Sequence, residues 1–190
     1  MNTYLHDHIN RHLYPLAPEP NSPDGLLKYK NANGWTDVYI GQYMLFSERS
    51  TEYSLNDFPE RFHAHDFYEV DIYCDGNVRY VSDHLEIDPK RDDILIFPPR
   101  CNHTAKLIRN STYARIVFYF SPLFFTSIDP GLLPKLFLDG GVHCRSVRPE
   151  YRASYFYLLE SLKEAVHSSA PDAGLLAYTY LLQLLNLIAN

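Results

Sequence analysis

The sequence lacks several features that would each define a class of protein. MNTYLHDHINRHLY mixes polar and apolar residues, so the N-terminus holds no apolar run of the kind a secretory signal needs. Cys74, Cys101 and Cys144 are odd in number and irregular in spacing. That excludes a disulfide-stapled secreted domain and fits a reducing, cytoplasmic setting. Basic charge is also scarce. A formal net charge of −6 excludes a broad nucleic-acid footprint on this chain, and the small cluster Arg145, Arg148 and Arg152 reads as solvated surface. The longest apolar stretch, Leu175 to Ala189, is broken by Thr179, Gln183 and Asn186 before it reaches membrane-spanning length, so it reads as a buried helix and no membrane partner is expected.

What is present suits one globular domain: 190 residues, 46% hydrophobic and 21% charged. The 16 tyrosines and 11 phenylalanines supply core area and ring faces on which planar or sugar-like ligands can lie. Pro15, Pro18, Pro20 and Pro23 impose an extended, turn-rich arm, assigned to residues 1–34. From Trp35 to Ser47 the β-branched and aromatic content predicts a strand or two, whereas Glu48 to Glu60 is polar and loop-like. Phe67 to Cys74 predicts a strand, Asp75-Gly76-Asn77 a hairpin turn, and Val78 to Ile87 the return. Asp93 to Phe97 is apolar on both faces and stops at Pro98-Pro99, and Thr112 to Phe120 is a further strand. Many short strands with turns between them point to a closed or two-sheet antiparallel barrel over residues 35–121.

Residues 122–190 form the helical segment. Loops punctuated by Pro130-Gly131, Pro134 and Gly140-Gly141 lead to a helix with Tyr151, Tyr155, Leu158, Leu162 and Val166 on one face. A second helix starts at Asp172. Its polar residues Thr179, Gln183, Asn186 and Asn190 make one narrow stripe, so the rest must bury against the barrel, the neighbouring helix and a second subunit. A homodimer through these two helices is expected. The second helix reaches Asn190 without a stop signal, as a cut inside a longer protein would leave it.

The candidate site lies between Phe62 and His103. His63-x-His65, then Glu69 and Gly76, is the spacing of the first cupin motif, and Asp92, Pro98-Pro99-Arg100 and His103 stand for the second. Imidazoles and a carboxylate suit Zn, Fe, Ni or Mn, and His63, His65, Glu69 and His103 would leave coordination positions open. A straight strand rises about 3.3 Å per residue, which would set His65 and Glu69 about 13 Å apart. Metal binding therefore requires a bulge or a change of sheet near Asp66-Phe67. Without that bend, the same residues line a pocket for an organic ligand. Tyr113 and Arg115, on one strand face with Tyr119, suit a sugar hydroxyl or a carboxylate, or else face outward; Asp71 and Tyr73 share the face of Glu69. Cys101 reads as a structural thiol.

These residues carry a resemblance. HAHDFYEVDIYCDG, DDILIFPPRCNH and YARIVFYFSPLFF are similar to the N-terminal effector-binding domain of AraC-type bacterial transcription regulators. The resemblance implies a mainly β fold with C-terminal α structure: a cupin-like double-stranded β-helix (jelly-roll) barrel followed by an antiparallel helix pair that supports dimerisation. It implies binding of a small-molecule effector, a sugar or another metabolite, near His63, His65, Glu69, His103, Tyr113 and Arg115. No catalytic residue or cofactor is required, with a divalent metal as the one candidate. DNA would be contacted only through helix-turn-helix units absent from these 190 residues. The chain departs from the family pattern at Asp92 and Arg100, where glycines are usual, and at Leu107, where asparagine is. Those departures disfavour an enzyme-type centre, and a stand-alone metal-dependent cupin enzyme of dioxygenase, isomerase or epimerase type is the alternative.

Overall fold

The computed structural model describes residues 26–30, 35–40, 44–83, 85–123, 137 and 140–189. Ten strands come first in chain order: β1 Leu26–Lys30, β2 Thr36–Ile40, β3 Met44–Tyr53, β4 Tyr68–Asp75, β5 Val78–Ser82, β6 Leu85–Ile87, β7 Ile94–Phe97, β8 His103–Leu107, β9 Ser111–Phe120 and β10 His143–Arg145. Two helices follow, α1 Arg152–His167 and α2 Ala173–Ala189. The strands form a seven-stranded sheet in the order β1-β2-β3-β9-β4-β7-β10 and a three-stranded sheet in the order β6-β5-β8. Every pairing is antiparallel. The expected cupin-like barrel followed by two helices is the observed fold.

Strand alternation divides the interior in two. On β4, Val70 and Ile72 face the helices, while Tyr73, two positions on from Asp71, joins Val78, Tyr80, Leu95, Phe97, Leu107 and Tyr113 inside the barrel. On β9, Ile116, Phe118 and Phe120 face the helices, and Val117 and Tyr119 face inward with Leu45 and Phe67. The helix-side cluster receives Tyr155, Leu158, Leu159, Leu162 and Val166 from α1 and Ala177, Leu181, Leu184, Leu185 and Ile188 from α2. Each large side chain so buried contributes about 1.5–3 kcal/mol. Surface ties fix the orientation of the helix pair: Lys28 Nζ donates to Ser168 O at 2.8 Å, and Lys163 and His167 both reach Glu48.

The structure departs from the sequence reading in several places. Leu26–Lys30, expected within the arm, pairs with β2; the rest of that arm, residues 1–25 and 31–34, lies outside the described residues. The polar run from Glu48 to Tyr53, read as loop, continues β3, because β9 offers ten residues of ladder against it. His143–Arg145, read as loop, pairs with β7. Tyr151 is not on the helix face but in the 3-10 turn Pro149–Tyr151, 38% exposed. Asn190 and most of the loop region before β10 are outside the described residues.

Candidate metal and effector centre

The bend that metal binding requires is present. His63 pairs with His103 as an isolated bridge, with N–H to O distances of 3.0 Å in both directions, so the chain here runs beside the small sheet. Arg100 N donates to His65 O at 2.6 Å, and by Tyr68 the chain has entered the large sheet as β4. This change of sheet over Asp66-Phe67 folds His65 back onto Glu69. His65 Nε2 lies 2.9 Å and His103 Nε2 3.2 Å from Glu69 Oε2. One ligand atom from each of His63, His65, Glu69 and His103 lies within 4.8 Å of the others.

The ring orientations follow from neighbours on both sides. His65 stacks on Phe67 at 3.9 Å between centroids and His103 on Phe97 at 4.1 Å, both nearly parallel. The Nδ1 atoms of His63, His65 and His103 lie 3.1, 2.8 and 3.0 Å from the carbonyls of Arg61, Phe67 and Cys101. A carbonyl only accepts, so each Nδ1 carries a proton and each Nε2 is the atom offered to the centre. His65 and His103 thus meet acceptors on both sides, a carbonyl and a carboxylate. Only added protons or a shared cation satisfies that arrangement, and the donor set fits a divalent first-row transition ion.

The charges agree with this geometry. Burial opposes a charged Glu69, but hydrogen bonds from His103 and His65, aided by Arg115, hold its carboxyl well below the usual range. Burial also opposes a charged His103, yet its bonds to Cys101 and Glu69 push it up to about 10. His63 is lowered, chiefly by burial.

A second layer lies behind Glu69. Arg115 Nη1 donates to Glu69 Oε1 at 3.2 Å and, closer still, to Asp71 Oδ2. Tyr119 OH reaches Glu69 Oε1 at 3.5 Å and accepts from Arg49 Nη1 at 3.1 Å. Tyr80 OH donates to Asp71 Oδ2 at 2.9 Å and lies 2.5 Å from Tyr113 OH, tying the small sheet to the large one. Asp71, wholly buried, is pushed up to about 6 by burial against the opposing pull of Arg115.

Of the six residues expected at the site, the structure brings His63, His65, Glu69 and His103 together and attaches Arg115 to Glu69. Tyr113 stands apart and joins the network only through Tyr80 and Asp71. Arg115 points inward, not to the barrel's outer surface. Tyr80 and Arg49 were not expected at the site, and Tyr119 was expected only on the strand face of Arg115. Two-residue alternation from Arg115 reaches Tyr119, but no spacing in the sequence places Tyr80 opposite Asp71, because β5 belongs to the other sheet.

Comparison with known proteins shows the family. A family model described as the AraC-like ligand binding domain matches residues 49–185, well over half of the chain. No curated protein matches the sequence. Among solved structures, an RmlC-like cupin family protein from Methanocaldococcus jannaschii is similar at 10% identity and a TM-score of 0.39, covering 54% of this chain and 94% of that one. A Cupin 2 conserved barrel domain protein from Salinispora arenicola matches at 14% identity and a TM-score of 0.34, covering 60% and 77%. A salicylate 1,2-dioxygenase from Pseudaminobacter salicylatoxidans matches at 19% identity and a TM-score of 0.40, covering 58% of this chain and 31% of the dioxygenase.

Proposed function

Because the chain belongs to the AraC-like ligand binding domain family, we propose that it is the effector-binding and dimerisation part of an AraC-type transcription regulator, with DNA contacted through helix-turn-helix units outside these residues. The observation that carries the ligand-binding part is the centre of His63, His65, Glu69 and His103, the last three buried, a polar cluster built into the barrel at the junction of its two sheets. Burying such ionisable groups costs stability through desolvation, and groups perturbed in this way cluster at functional sites.

A divalent ion held by these four residues would supply a Lewis-acidic point with positions left for an oxygen donor of the effector. The chain's own part is to hold three Nε2 atoms and one carboxylate oxygen toward that point, and to keep bulk water from it with the stacked rings of Phe67 and Phe97. Arg115, 19% exposed at its side chain, and the hydroxyls of Tyr80 and Tyr113 are the further polar groups on this interior. They suit a small ligand carrying hydroxyl or carboxylate groups.

The test is metal analysis and thermal melting of dialysed protein with Zn, Ni, Mn and Fe salts, followed by a metabolite panel. Uptake of one equivalent, with a raised Tm that His103→Ala removes, is expected. A melt indifferent to every metal and metabolite would count against the centre. The regulator assignment is checked separately by reading the gene past codon 190 for two helix-turn-helix patterns. The second reading, a metal-dependent cupin enzyme, is favoured by the three-histidine, one-carboxylate set itself, and turnover abolished by His63→Ala or His103→Ala would establish it.

A further inference from the structure

The two oxygens of Glu69 have different partners. Oε2 faces His65 and His103 at 2.9 and 3.2 Å, whereas Oε1 accepts from Arg115 at 3.2 Å and from Tyr119 at 3.5 Å. Arg115 does not sit there by default. On the β3–β9 ladder it pairs with Arg49 and on the β4–β9 ladder with Tyr73, so its guanidinium must reach along the interior face to Glu69. Asp71 holds it there, and Tyr80 holds Asp71. Glu69 and Asp71 are 1% and 0% exposed, so the links operate where electrostatic bonds are strong and exchange with water is slow.

Resting on the metal reading of this centre, we infer that Arg115 is a positioning residue that keeps Oε1 of Glu69 turned away from the centre. The carboxylate then offers a single oxygen, and the site selects a first-row transition ion over calcium. Three imidazoles and one oxygen suit zinc, cobalt, nickel or iron. Calcium takes six to eight oxygen ligands and draws on bidentate carboxylates, so a freed Glu69 would move the site toward it. Asp71 acts one step further out: it positions Arg115.

Cobalt(II) tests this, because its visible spectrum reports coordination number and geometry. Wild-type protein, Asp71→Asn, Tyr119→Phe, and the double variant Arg115→Met with Asp71→Asn are titrated with cobalt, and the same proteins with calcium. The double variant removes both members of a buried ion pair together, which avoids stranding Asp71 without its partner. Thermal melts confirm folding. The wild type is expected to bind cobalt. The double variant should show an altered visible spectrum and cobalt affinity lower on the order of 10- to 100-fold, the usual effect of removing an outer partner of a ligand. Asp71→Asn alone should shift the spectrum less than the double variant, since an amide oxygen can still accept from Arg115 but lacks the charge that holds it.

A double variant with wild-type spectrum and affinity would overturn the role of Arg115 and leave the metal reading standing. A wild type that takes up no cobalt would remove the metal reading, and the inference with it. If the double variant does not fold, Arg115→Lys serves in its place. A lysine ammonium ends on a shorter stem and lacks the planar, fixed set of donors with which the guanidinium reaches both Glu69 and Asp71, so its cobalt spectrum should also shift, and an unchanged spectrum there would equally overturn the inference.

Discussion

Arg100 and Asp92 are the two non-glycine residues with positive φ among the described residues, at 66° and 70°. They stand where the family pattern has glycine. Each turn thus holds a left-handed conformation with a residue that does not adopt it freely, at a cost of about 1–2 kcal/mol per position. Arg100→Gly is therefore expected to melt higher than Arg100→Ala by about 1 kcal/mol, as the two variants lose the same exposed bond to Asp66 and differ only in backbone freedom. Equal stability in denaturant titrations would show that the turn is not strained. Cys144 gives a second prediction. Burial first, and Asp93 beside it, push this thiol up to about 11 although its residue is exposed. At pH 8 only about one molecule in a thousand holds the thiolate, so iodoacetamide should label it slowly and faster with rising pH toward 11. Site-resolved mass spectrometry reads this, and rapid labelling at pH 7 would refute it. At this scale the four clustered residues were legible and their supports were not. Spacing alone picked out His63, His65, Glu69 and His103, because short-range motif and local bend decide them. Tyr80 and Arg49 act across strands that meet only after folding.

Among the elements, the β4–β5 hairpin depends most on one residue. Gly76 has φ of +136°, and a Cβ there would meet Thr112 O at 2.9 Å and Tyr113 Cα at 3.2 Å. Both strain and collision with backbone act against any side chain, and Tyr73 OH donates to Gly76 O at 2.6 Å across the same turn. Gly76→Ala should destabilise by about 1–3 kcal/mol in denaturant titration, with the loss felt at Tyr80 and hence at Asp71. A wild-type midpoint would show that the turn relaxes freely. This hairpin was readable from Asp75-Gly76-Asn77, as was β7 from its unbroken apolar run, since local turn chemistry and burial on both faces leave marks in sequence. The extent of β3 was not readable. Glu48 to Tyr53 carries a polar surface and becomes strand only because β9 is long enough to pair with it, a reason that lies some sixty residues away.

At the scale of the molecule, one sheet carries the candidate site on one face and the helix pair on the other. Glu69 and Asp71 look into the barrel, while Val70 and Ile72 between and beside them pack under α1 and α2. Any shift of β4 or β9 on filling the centre therefore reaches the helices through side chains one position away, without a long relay. On the outer surface of α2, Leu175 and Leu176 are 70% and 39% exposed and flank the exposed Thr179, Gln183 and Asn186, giving the mixed face on which the proposed dimer would form. Leu175→Asp is accordingly expected to weaken self-association by at least about tenfold without lowering the Tm of dilute, monomeric protein, since this side chain touches water rather than core within one chain. The two properties should also be linked. If occupation of the centre favours one packing of the helices, saturating zinc must change the dimer dissociation constant by the square of the factor by which dimerisation changes zinc affinity, because each dimer holds two centres. Sedimentation equilibrium of the wild type with and without zinc measures that factor, and His103→Ala should hold it at one. A dimer whose dissociation constant is unmoved by zinc, in a protein shown to bind zinc, would mean that β4 and β9 do not transmit between the two faces of their sheet.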